Sequence, residues 1–138
     1  MNTSDRAQVT IPRERAADML VGDVMIARPK TVPPQTLVGE VRRLLARPNV
    51  RTMLFADDGA FRGAIERDGL PAEAADDEPA IRYADLRPLT VTPATPMSEA
   101  ISLLKDRAEP RLIVLDDDGV TLRGLVCVNA SATGFCVR

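Results

Sequence analysis

Carboxylates, arginines and two thiols are the first groups to weigh for chemistry in this chain, because none of its 138 residues is histidine. The usual general base and the commonest metal ligand are therefore missing. Glu66 and Asp68 flank Arg67 and carry groups suited to acid–base work, yet no nucleophile and no glycine-rich phosphate cradle accompanies them. The runs Asp57-Asp58-Gly59 and Asp116-Asp117-Asp118-Gly119 invite a calcium reading. They lack the alternating carboxylates and the distal glutamate of an EF-hand loop, so they read as turns. Cys127 and Cys136 are too few for a disulfide framework and are not spaced as CxxC. They are expected to be reduced and at least partly packed; a bond between them is compatible with the sequence without being called for by it. These residues predict no catalytic group, no metal site and no enzyme.

The elements that position these groups come in two copies. TVPPQTLVGEVRRLL begins at Thr31 and TVTPATPMSEAISLL at Thr90, and seven of the fifteen positions are identical. A repeat must be settled before any other fold argument. In each copy a short extended piece around Thr31-Val32 or Thr90-Val91 is stopped by proline, which cannot donate to a ladder. Thr36 and Thr95 then stand where helix N-caps are expected, with Pro96 at a first helical position. A 3.6-residue period follows: Leu37, Val38, Val41, Leu44 and Leu45 in one copy, Met97, Ala100, Ile101 and Leu104 in the other. Pro48 and Pro110 mark the far ends of the helices.

Each helix leads to an apolar run, Met53 to Ala56 or Leu112 to Leu115, closed by its aspartate-rich turn. Asp-Gly between two β-type runs predicts a hairpin, and the returning strands are Phe61 to Ile65 and Leu122 to Val128. One copy is thus strand, helix, strand, turn, strand, with room for a final helix. Such a unit buries its helix and sheet faces poorly alone, and two copies packed sheet to sheet would bury both. Pro71 to Pro79 either closes the first copy as a helix or links it to the second. We expect an arm or added helix over 1–18, a first repeat over 19–75 and a second over 76–138.

Composition narrows the function classes. A net charge of -2 exerts no global pull toward nucleic acid or an anionic membrane, and four aromatics leave little for base stacking. Arg42, Arg43, Arg47 and Arg51, and later Glu73, Asp76, Asp77 and Glu78, read as solvated faces and linker. No apolar run reaches membrane-span length, and the N-terminus lacks the apolar stretch of a signal peptide. The expectation is a cytoplasmic protein with no nucleic-acid and no membrane partner.

From about Leu20 to Asn129 the ordered set of motifs resembles a tandem pair of CBS domains, often called a Bateman module. The carriers are Asp23-Val24-Met25, Thr31 to Thr36, Glu40-Val41, the Asp-Asp-Gly turn and Gly63-Ala64-Ile65 in copy one. Copy two offers Ala84-Asp85-Leu86, Thr90 to Thr95, Glu99-Ala100, Asp116 to Gly119 and Gly124-Leu125-Val126. The resemblance implies an α/β (α+β) fold of two CBS-type β-α-β-β-α repeats, packed sheet to sheet as a pseudo-two-fold pair and self-associating as a homodimer. It also implies an adenosine-containing ligand (AMP, ADP, ATP or S-adenosylmethionine) in the clefts between the copies. Carried over by position, the candidate ligand residues are Thr31, Val32, Thr52, Met53, Ile65, Arg67 and Asp68, and Thr90, Val91, Arg111, Leu112, Val126 and Asn129.

The sequence departs from the family where ribose and phosphate are usually held. Glu66 and Cys127 occupy the hydroxyl position, and Gly69 and Ala130 the aspartate position, with Asp68 and Asn129 one residue earlier. Glu66 repels a phosphate unless it is protonated or paired with a cation such as Arg67. Arg67 is expected to pair with Glu66 or Asp68 rather than with a ligand. Cys127 reads first as a small buried hydrophobe and second as a thiol sensor. The leading expectation is a standalone regulatory module that senses an adenine nucleotide, needs no cofactor and modulates an unknown protein partner. The alternative is a pair without ligand that serves dimerisation or protein docking.

Overall fold

The computed structural model describes residues 10–48, 50–105, 111–128 and 134–136. In chain order the elements are β1 (Thr10–Pro12), α1 (Arg13–Ala16), α2 (Val21–Val24), β2 (Ile26–Ala27), β3 (Thr31–Val32), α3 (Val38–Leu45), β4 (Thr52–Asp57), β5 (Ala60–Glu66), β6 (Thr90–Val91), α4 (Met97–Lys105), β7 (Arg111–Leu115), β8 (Leu122–Val128) and β9 (Gly134–Cys136). They fall into two compact units: Lys30–Pro88, and the segment up to Pro29 together with that from Leu89 onward. The mixed α+β class expected from the sequence is the class observed.

In the Lys30–Pro88 unit, β3 runs parallel to β4, and β4 pairs antiparallel with β5. The parallel pair requires a crossover, which α3 supplies. The apolar stripe of α3, Val38, Val41 and Leu45, is buried against Val32, Met53, Phe55 and Ile65 from one face of the sheet. The hairpin turns through Asp58 and Gly59, with φ of 51° and 85°. Two consecutive positive φ values define the turn whose twist matches antiparallel strands, which is why Asp-Gly marks it. After β5 comes a 3-10 turn at Arg67–Gly69, and Pro71 to Pro79, expected either as a closing helix or as a linker, continues as turns. The cause is Arg42, whose Nη2 donates to the carbonyls of Pro71, Ala72 and Ala74 at 2.9, 2.9 and 2.7 Å. Those oxygens would be acceptors inside a helix; here the guanidinium gathers them.

In the other unit the strand order is β1-β9-β8-β7-β6, with β2 also paired to β8. Met97 and Ala100 of α4 pack with Val91, Leu112, Val114, Val126 and Phe135, and Ala16, Val21 and Val24 complete the core. The 10–12 segment, expected as arm or helix, forms the strand β1 on β9, followed by a single helical turn at Arg13–Ala16. The second hairpin is longer. The Asp118 carboxylate accepts from the Val120 and Thr121 amides and from the Thr121 hydroxyl at 2.8, 2.9 and 2.6 Å, so the loop itself uses this acid.

The copies agree in detail. Both central hairpins carry a register shift at the same place, Phe55/Ala56 and Val114/Leu115. Both carry the same cross-strand ion pair, Arg62–Asp57 and Arg123–Asp116. Each unit is completed by the lead segment of the other repeat. Val38 N–H donates to Glu78 O and Ala80 N–H to Thr36 O; in matching fashion Met97 N–H donates to Met19 O and Val21 N–H to Thr95 O. Ala64 pairs with Asp85 as Leu125 pairs with Ile26. The packed units are thus a division by contact, distinct from the sequence repeats.

Thr36 and Thr95 do not cap the helices. Leu37 occupies the N-cap of α3, and the Thr36 hydroxyl donates to Pro33 O at 2.8 Å. Thr95 Oγ1 accepts from Thr92 N–H at 3.1 Å. The first helical amides already have carbonyl partners on the exchanged segment, so the hydroxyls close the preceding turns instead. No helix among the described residues is long and apolar enough to cross a membrane.

Candidate functional site

Six of the thirteen candidate residues are core side chains. Val32, Met53 and Ile65 belong to the apolar cluster of one unit, and Val91, Leu112 and Val126 to that of the other. Only their backbone groups are available to a ligand. Thr31 and Thr90 occupy matching places on β3 and β6, in register with Leu54 and Ile113, and both are exposed. Asn129 lies outside the described residues.

Two cross-strand pairs carry the remaining chemistry. In the Lys30–Pro88 unit, Thr52 on β4 is the register partner of Glu66 on β5. The Thr52 hydroxyl lies 3.1 Å from each Glu66 carboxylate oxygen and donates to the acid. In the other unit the matching positions are Arg111 on β7 and Cys127 on β8, again register partners. Arg111 is only 4% exposed, and Cys127 is half-buried with its Sγ 3.6 Å from Val128 O. One strand end therefore carries hydroxyl and carboxylate, the other a buried guanidinium and a half-buried thiol. In general a guanidinium attracts phosphate and a carboxylate repels it.

Arg67 behaves differently from the expectation. Its Nη2 donates to the carbonyls of Arg47 at 2.9 Å and Pro48 at 3.4 Å, and also to that of Val50. Loop carbonyls, rather than Glu66 or Asp68, hold this guanidinium, because the 3-10 turn swings it back over the end of α3. Asp68, on the same turn, is exposed. With Arg42, Leu45, Ala46 and Leu70, Arg67 lines an open depression of about 270 Å³. Both arginines there are engaged with backbone oxygens. Sequence reasoning placed Arg42 on a solvated face and missed its role, since carbonyl partners leave no mark in a sequence.

The CBS domain family model matches residues 21–70 and 83–129, so the chain belongs to the CBS domain family and contains two copies of the domain. Its fold is that of solved CBS pairs. CBSX2 in complex with AMP is 26% identical, with a TM-score of 0.71 over 79% of this chain and 90% of that one. CBSX2 from Arabidopsis thaliana, in a second structure, is 25% identical with a TM-score of 0.68, covering 78% and 86%. The cytosolic domain of the Mg2+ channel MgtE in complex with ATP is 23% identical with a TM-score of 0.69. That comparison covers 92% of this chain and 52% of the channel domain, so this chain spans about half of it. The comparison with curated proteins yields no match.

Proposed function

We propose that this CBS pair is a regulatory binding module, acting as a homodimer, that senses an adenosine-containing ligand and thereby modulates a protein partner. The observation that carries the reading is the likeness to CBSX2 in complex with AMP across both repeats. The ligand's phosphate is received at the Arg111–Cys127 strand end. Adenine and ribose use the exposed hydroxyl of Thr90 and the backbone around Val91, Leu112 and Val126, because those side chains are committed to the core. Ligand binding then favours one arrangement of the protein over another and so alters the partner.

A second reading, a docking module without ligand, is favoured by one observation: the family's hydroxyl position in copy one is Glu66, held by Thr52. Calorimetric titration of charcoal-stripped protein with AMP, ADP, ATP and S-adenosylmethionine separates the two. Saturable heat at micromolar concentration from one of them supports sensing. No heat from any of the four, with the dimer intact by light scattering, rejects sensing in favour of docking.

A further inference from the structure

The open depression of about 270 Å³ lined by Arg42, Leu45, Ala46, Arg67 and Leu70 belongs wholly to the Lys30–Pro88 unit, which does not contain Arg111. Its two guanidiniums are fixed in the same way. Nη2 of Arg42 serves the carbonyls of Pro71, Ala72 and Ala74, and Nη2 of Arg67 those of Arg47, Pro48 and Val50. One nitrogen of each fork thus takes all its backbone bonds, and Nε and Nη1 of Arg67 have no partner among the described residues. Carbonyls are dipoles without net charge, so they orient a guanidinium and leave its charge in place. No acid among the described residues forms an ion pair with Arg67: Thr52 donates to Glu66, and Asp68 is exposed. Arg42 has one acid, Asp76, at 2.5 Å from Nη1, and that side chain is 75% exposed.

We propose that this depression binds the phosphate monoester of a small apolar alcohol. The phosphate accepts from the unused donors of Arg67, whose planar fork can meet two oxygens at once, and competes with Asp76 for Arg42. Two guanidiniums against the single carboxylate of Asp76 leave one positive charge in excess. A dianion answers both charges once Asp76 moves off Arg42, which a carboxylate ligand would not. The apolar group of the ester lies against Leu45, Ala46 and Leu70, the other residues of the wall. Because carbonyls already hold both forks, the ligand has little side-chain freedom left to freeze. Asp76 is therefore a built-in competitor that sets the affinity of the site. The depression needs no nucleotide, and its failure to bind would leave the sensing reading untouched.

The test titrates the isotope-labelled full chain with phenyl phosphate and follows its backbone amides by NMR. Saturable shifts are expected at Leu45, Ala46, Gly69 and Leu70, with inorganic phosphate binding more weakly and phenol not at all. Arg67→Gln should abolish them while the rest of the spectrum stays that of the parent. Asp76→Asn should tighten binding about fivefold, the worth in water of one unit charge a few ångströms away. No saturable shift, equal binding by phenol, binding that persists in Arg67→Gln, or an affinity that Asp76→Asn leaves unchanged or weakens each overturn the proposal. Shifts centred on Arg111 and Cys127 instead would assign the phosphate to the other unit and reject this depression.

Discussion

The two CBS copies share a hairpin register, a bulge, an ion pair and an exchanged lead segment, and they diverge at the ends of the hairpin strands. Thr52 faces Glu66 in one copy, and Arg111 faces Cys127 in the other. Between the copies the hydroxyl position, Thr52, becomes a guanidinium and the carboxylate position, Glu66, a thiol. Duplication kept the parts that build the core and let the edge chemistry drift apart. A second divergence lies in the helices: Arg42 of α3, which gathers the carbonyls of 71–74, has Ile101 as its counterpart in α4.

Substitutions grade this comparison from the shared core outward. The largest effect is expected from Phe55→Ala, since the ring is fully buried between α3 and its sheet. Urea unfolding should register a loss of about 3–5 kcal/mol; under about 1 kcal/mol would show that the ring is not packed as described. The two matched glycines should differ. A Cβ at Gly124 would sit 2.7 Å from the Ile26 carbonyl oxygen, whereas at Gly63 the nearest atom is the end of the Leu86 side chain at 3.0 Å. Gly124→Ala is expected to cost about 1–3 kcal/mol and Gly63→Ala less, because a backbone oxygen cannot step aside as a side-chain end can. Equal costs would mean that the two lead segments approach equally closely.

Arg42→Ala should remove about 1–2 kcal/mol, a value reduced by the partial exposure of the guanidinium. It should also open Pro71 to Pro79 to limited proteolysis; an unchanged cleavage pattern would refute the clamp. The smallest effects are electrostatic. Backbone N–H donation from Ala75 and the Tyr83 hydroxyl, with help from Arg82, hold Glu78 below its ordinary value of 4.5. The Thr121 hydroxyl and the amides of Thr121 and Val120 do the same for Asp118, ordinarily 3.8. Both acids are depressed in the folded state. Their stabilisation is therefore present above the unfolded values and disappears as pH falls through the folded ones. Melting temperatures between pH 7 and 3 should decline less steeply in Glu78→Gln and Asp118→Asn; slopes identical to the parent would remove both acids from the account.

The repeated strand–helix–hairpin pattern was legible because each part has its own periodic or turn signal. Asp58-Gly59 is the clearest case, where residue type and positive φ are the same fact. The exchange of lead segments was hidden, since two-residue strands such as β2 have no period to read and their partners lie far along the chain. β1 and β9 were missed for the same reason. Thr36 and Thr95 satisfied a local capping rule that a distant carbonyl overrode. At the candidate site, the resemblance supplied positions but not orientations. Val32, Met53 and Ile65 turned inward because alternation along each strand sends every second side chain to the core, while Arg67 went to carbonyls that no motif records.

Nucleotide stoichiometry tests the asymmetry of the two strand ends most directly. Equilibrium dialysis of the stripped protein against ATP should find one nucleotide per chain, retained in Glu66→Gln and lost in Cys127→Glu, which places a carboxylate beside Arg111. Two equivalent sites per chain, or binding that survives Cys127→Glu but fails in Glu66→Gln, would contradict the account.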